Sequence, residues 1–173
     1  MNDLPRLASL LKSRNTIDDK ISALIGRTAQ ANNIGEYIAS LILRITLDER
    51  GKRRGYDGRF SSGPLAGQTV DIQWHPRHDG LLNVKLDALP DYYLVLAGPD
   101  ASSLGIASPW VIESIFLFNA SELLNALRER GVQIGSGTSV TGPLWERAEI
   151  YPVPRNNRLT IADEERRLLV LFG

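Results

Sequence analysis

Cysteine is absent from the chain, which excludes disulfides, thiolate zinc centres and a cysteine nucleophile. Histidine is nearly so. The two imidazoles, His75 and His78, flank Pro76-Arg77, and with no cysteine to help and a proline kinking the pair they make a poor metal centre. No Gly-x-Ser-x-Gly elbow accompanies them, so a serine hydrolase is a poor reading as well. Dinucleotide and phosphate-loop fingerprints are missing. Gly135-Ser136-Gly137-Thr138 has no lysine in Walker position and opens no helix, so it reads as a turn. No apolar run is long enough to span a bilayer. Met1-Asn2-Asp3-Leu4-Pro5 lacks a basic stretch with an apolar run behind it, so a cytoplasmic protein is expected. An excess of one charge is also lacking: 20 basic residues balance 20 acidic ones. A protein held to nucleic acid by bulk charge alone is thereby disfavoured.

What is there fits one domain over residues 1–173. The hydrophobic content of 43% and charged content of 23% are ordinary for a globular chain. Leu4, Leu7, Leu10 and Leu11 have helical spacing, and Asn15-Thr16 interrupts it. Thr16-Ile17-Asp18-Asp19 reads as a capping box opening a second helix that Gly26 ends. A third helix starts near Ile34 and buries Ile34, Ile38, Leu41, Ile42 and Ile45. Tyr92 to Ala97 is a continuous apolar run, as in a central strand covered on both faces. Trp110 to Phe118 is β-rich, and Asn119-Ala120-Ser121-Glu122 caps a helix that Gly131 stops. Val132-Gln133-Ile134 reads as a short strand and Glu149-Ile150-Tyr151 as an edge strand stopped by Pro152. Thr160 to Asp163 opens a final helix. This order predicts an α/β fold, a three-layer-like α/β sandwich around a mixed β-sheet.

The stretch from Gly55 to Lys85 carries the chemistry. In Thr69 to His75, Val70, Ile72 and Trp74 take one face, while Asp71, Gln73 and His75 take the other. Leu81 to Leu86 alternates in the same way. Closing a hairpin over Pro76 to Gly80 would pair His75 with Leu81, Gln73 with Asn83 and Asp71 with Lys85. An acid, an amide and a lysine would then share one polar face, with Asp57 just upstream. That set is either a solvated sheet face with a cross-strand ion pair or a hard-metal site. Arg50, Lys52, Arg53, Arg54 and Arg59 flank Asp57, where cations could position a phosphate. Glu36 lies early in the third helix, away from the centre of its apolar stripe. There it favours the helix dipole and could point along a sheet edge.

Mg²⁺ takes one or two carboxylates and fills its other positions with water and phosphate oxygen. Phosphodiester hydrolysis needs such an ion and a nearby cation. The helix glutamate in Ile34-Gly35-Glu36-Tyr37, the aspartate in Gly55-Tyr56-Asp57-Gly58 and the acid-x-polar strand Val70-Asp71-Ile72-Gln73-Trp74 follow one another in that order. The pattern resembles the PD-(D/E)xK nuclease superfamily, which has the restriction-endonuclease-like fold. The chain is also similar, over most of its length, to an uncharacterised family of small bacterial proteins with a Gly-x-Asp-Gly…Gly-Pro-Leu-Ala-Gly pattern. The resemblance implies N-terminal helices over 1–32 and a nuclease-like α/β core over 33–173. It implies Mg²⁺ or Mn²⁺ on Asp57 and Asp71, with Glu36 as the accessory acid holding a metal-bound water. Gln73 stands where the superfamily has lysine, and Lys85 opposite Asp71 is the substitute from the neighbouring strand. Arg53, Arg54 and Arg59 would steer the backbone of a nucleic acid, with DNA expected, in bacterial defence or repair. A homodimer is the natural partner to a two-stranded substrate. A nuclease-like scaffold that binds nucleic acid or a protein without catalysis is the alternative.

Overall fold

The computed structural model of the chain describes residues 3–49, 55–100 and 110–173. Its centre is a mixed sheet of six strands: β1 (Ile45–Leu47), β2 (Gly58–Phe60), β3 (Thr69–His75), β5 (Tyr92–Ala97), β6 (Ser114–Asn119) and β8 (Glu149–Tyr151), in the spatial order β1-β2-β3-β5-β6-β8. Among the described strand pairs of this sheet, only β3–β5 is parallel. The two remaining short strands, β4 (Leu81–Leu82) and β7 (Thr138–Ser139), form an antiparallel pair of their own.

Helices α2 (Ala31–Ile42) and α5 (Asp163–Leu169) cover one face of the sheet. They pack Ile38, Ala39, Ile42 and Leu169 against Val70, Ile72, Trp74, Leu94 and Leu96. The other face carries α3 (Ala120–Glu129), α4 (Gly142–Ala148) and the 82–84 segment. There Leu123, Leu127, Trp145, Leu82 and Val84 bury Tyr93, Val95, Phe116 and Phe118. These three layers and the mixed sheet answer to the α/β sandwich expected from the sequence. All six residues of β5 are buried, as its unbroken apolar run requires of a strand covered twice.

Several local expectations are corrected. The N-terminal region is one helix, α1 (Leu4–Ile25), not two. Thr16 does not cap within it; its hydroxyl donates to the Lys12 carbonyl at 3.1 Å, one turn back. Gly26 does end it, at φ 71°. Helix α2 starts at Ala31 and stops at Ile42, so Ile45 belongs to β1, and Leu41 is 65% exposed rather than buried. Arg44 takes the left-handed conformation there at φ 54°, a stop that normally announces itself with glycine. Residues 132–134 form no strand, and α4 follows where the sequence had suggested none. The largest correction concerns β3. It makes no hairpin with residues 81–86; it pairs with β5 in parallel, Asp71 beside Tyr93 and Gln73 beside Val95, while β4 turns to β7.

Candidate functional site

Strand β2 pairs with β3 only at Gly58–Val70 and Arg59–Thr69. Beyond that point the two chains part, leaving the β3 edge without a strand partner. Side chains take the backbone groups instead, since buried amides need partners. Asp57 Oδ2 accepts from the Ile72 N–H at 2.7 Å, and Asn32 Oδ1 faces the Trp74 N–H at 3.5 Å. Asp57 is itself fixed by its own N–H, which donates to the Val70 carbonyl at 2.8 Å. The start of β3 is tied to β5 by Asp91, whose carboxylate accepts from the Thr69 N–H at 2.7 Å and the Thr69 hydroxyl at 2.8 Å.

Two glycines close this notch. A Cβ on Gly35 would stand 3.0 Å from the Trp74 Cβ, so its absence lets α2 settle onto β3 and carry Glu36 to the open edge. Gly55, at φ 78°, lies so close to the 85–88 segment that a Cβ would meet the Ala88 carbonyl oxygen at 1.8 Å. Gly55 and Ala88 are thereby in close contact at this end of the notch.

Glu36, Asp57, Asp71, Gln73 and Lys85 consequently line one polar cavity of about 170 Å³, together with Asn32 and Tyr93. Of the juxtapositions expected of a hairpin, Gln73 does meet Asn83 and Lys85 does lie near Asp71, without the hairpin. Gln73 makes the first of these. Its amide nitrogen donates to the Asn83 carbonyl and to Asp71 Oδ2, both at 2.8 Å. Its oxygen accepts from the Asn83 N–H at 3.1 Å and lies 3.2 Å from His75 Nε2. One buried side chain thus imitates a rung of β-ladder, and both donors and both acceptor directions are used. Asn83 is held from the other side by the Gly137 N–H, which donates to its Oδ1 at 3.0 Å.

The carboxyl of Asp71 is held above its usual range, first by burial; the neighbouring Glu36 carboxylate pushes the same way, while the Gln73 hydrogen bond and the Lys85 ammonium pull it down. Tyr93 beside it has a buried hydroxyl. Burial and then the Asp71 charge push that phenol up to about 12, while the Lys85 backbone near it pulls its pKa down. Glu36 is 6% exposed and pairs with the Arg27 guanidinium, a charge-assisted contact from just past the end of α1.

Arg59 stands on the exposed side of β2, away from the cavity, with its guanidinium over the Tyr56 ring at 5.1 Å from the centroid and bonded to the Gly67 carbonyl at 3.0 Å. Arg53 and Arg54, with Arg50 and Lys52, lie outside the described residues. His75 joins the Gln73 network, and burial lowers its pKa. His78 instead stacks on Phe116, with ring centroids 5.2 Å apart, so the two imidazoles serve different surroundings.

Sequence reasoning missed Arg27, Asn32 and Tyr93. Tyr93 carried a signal, a polar tip inside an apolar run, but its neighbour was set by a parallel register that periodicity does not specify. Arg27 lies between α1 and α2 and Asn32 in the first turn of α2, where the sequence reads only as a polar stretch, and neither carried a signal.

Among the described residues no three carboxylate or imidazole groups form a ready-made metal cage. The donor set fits a looser hard-cation site. Half-buried Asp71 and buried Glu36 are close enough to repel one another, and a divalent cation with two carboxylates and otherwise water ligands would relieve that repulsion. Compared with models of known protein families and with curated proteins, the chain matches none.

Proposed function

We propose that the notch is the active site of a metal-dependent phosphodiesterase acting on nucleic acid, DNA in the first instance, on a restriction-endonuclease-like fold. The observation that carries this reading is the meeting of Glu36, Asp57, Asp71 and Lys85 in one polar cavity, though they come from four separate stretches of chain. Asp71 and Asp57 would hold Mg²⁺ or Mn²⁺, with Glu36 holding a metal-bound water. When bound, such an ion lowers the pKa of water and offsets phosphate charge. Lys85, exposed at the rim, supplies the mobile ammonium that the phosphate meets. Gln73, fully engaged, positions Asp71 and the Asn83–Lys85 segment and leaves the contact with phosphate to Lys85. Tyr93 and the apolar floor beneath it limit water behind Asp71.

The second reading is a nuclease-like module that binds nucleic acid or a protein without cutting. It is favoured by the Arg27–Glu36 ion pair, which already neutralises one acid, and by the saturated amide at the superfamily's lysine position. Plasmid cleavage with Mg²⁺ or Mn²⁺, run beside Asp57→Ala and Asp71→Ala with calorimetric metal titration, separates the two. Metal-dependent cleavage lost in both variants is expected. Cleavage surviving both substitutions removes the metal mechanism; a folded chain with neither cleavage nor metal binding is the non-catalytic module.

A further inference from the structure

The feature of the molecule that the notch leaves unexplained is α1. Its 22 residues contain none that is buried, although leucine and isoleucine recur along it. Leu7, Leu10, Ile17 and Leu24 are 50%, 60%, 56% and 73% exposed. Leu7, Leu10, Arg14, Ile17, Ile21 and Leu24 follow one another at alternating steps of three and four residues, the spacing of a coiled-coil seam. Among the described elements its main contact is with α2, and Ile21 and Ile25 near that end are partly covered. From Leu7 to Ile17, about one and a half heptads, every seam residue is exposed. A monomer rarely leaves such an apolar stripe in water.

Charge selects the occupant and its direction. Arg6, Lys12 and Arg14 fall in the first part of the helix, while Asp18 and Asp19 fall in the second beside Lys20. A parallel pair would set Arg14 against its own copy in the same layer and run like ends together. An antiparallel pair lays the basic part of each helix along the acidic part of the other. With the twofold axis between Asn15 and Thr16, Leu7 meets the partner's Leu24 and Leu10 meets the partner's Ile21. Arg14 then lies against the partner's Ile17, with Asp18 close enough on its own helix, at 3.7 Å, to offset its charge. Such a contact is isologous and closes on two copies.

We propose that α1 is a self-association element, pairing antiparallel with α1 of a second copy of this chain. The inference does not depend on the notch being catalytic. Light scattering on the full chain is expected to give a mass near twice the 19.1 kDa of one chain. Leu7→Glu with Leu10→Glu is expected to return it to one chain's mass with an unchanged near-ultraviolet spectrum, because both side chains are exposed, face only apolar residues of the partner in this register, and are not part of the core. The direction is read with cysteines placed in a chain that has none. A mixture of Leu7→Cys and Leu24→Cys proteins should oxidise to a disulfide heterodimer, whereas Leu24→Cys alone should not cross-link. A single-chain mass at every attainable concentration, or a dimer that survives the double glutamate variant, overturns the surface. Efficient cross-linking of Leu24→Cys to itself overturns the antiparallel arrangement.

Discussion

Replacing Gln73 by leucine tests the most unusual joint in the molecule. Leucine has nearly the same bulk, so little cavity is left and the packing contribution is small. What disappears is polar: the bond to the Asp71 carboxylate at 2.8 Å, both bonds to the Asn83 backbone and the contact with His75. A hydrogen bond to a charged group contributes about 1.5–3 kcal/mol and a neutral one about 0.5–1.5 kcal/mol. Asn83 is exposed, so water replaces part of what its backbone loses; Asp71 is more enclosed and recovers less. The expected cost is therefore about 2–4 kcal/mol, a drop of about 1–2 M in the urea midpoint for a domain of this size. The Asp71 carboxyl should also rise further, because the Gln73 hydrogen bond is the largest influence holding it down. Hydrogen exchange should quicken at Asn83 and across 83–88, since that segment no longer has its pin. Unfolding in urea at neutral pH, with exchange read by mass spectrometry, measures both. A midpoint within experimental error of the parent, and unchanged exchange at 83–88, would refute the assignment of Gln73 as the rung that joins this segment to the sheet.

Two further outcomes follow from the same site. Asp71 has a folded-state pKa raised above the ordinary 3.8, so its contribution to stability is greatest below that value and is lost as pH rises through the folded pKa. Asp71→Asn should therefore gain stability relative to the parent as pH rises above 3.8, as followed by urea midpoints from acid to neutral pH. Saturating Mg²⁺ should shrink the difference by stabilising only the parent. Arg27→Ala leaves the buried Glu36 carboxylate without its main cation and should cost about 2–4 kcal/mol, somewhat less than a fully enclosed pair because Arg27 is partly solvated. Glu36→Gln in the same chain should restore part of that loss, and a double-mutant cycle by thermal unfolding reads it. No restoration would mean that the guanidinium acts through packing alone.

The sequence by itself determined whatever depends on neighbours along the chain. Alternation put Asp71 and Gln73 on one face of β3 and Ile72 and Trp74 on the other, because side chains in a strand change sides at every residue. The unbroken run Tyr92–Ala97 marked a doubly covered strand. Gly26, Gly131 and Asn119 marked helix ends, and Asn119 does accept from the Glu122 N–H at 3.1 Å. Even so, periodicity ran on through Ile45 into what is a strand, because the left-handed stop falls on an arginine. It also closed β3 and the following segment into a hairpin, the nearest arrangement that satisfied parity. Tertiary structure decided the pairing. Alternation fixes which way a side chain points and says nothing of which strand lies alongside, and the burial of β5 on both faces rewards a parallel neighbour 20 or so residues distant. The cavity exists for the same reason. Once β5 takes one edge of β3, and β2 leaves the other after two residue pairs, the bare backbone of Ile72 and Trp74 must be met by side chains. That need draws in Asp57 and Asn32, and the close approach at Gly35 brings Glu36 with them.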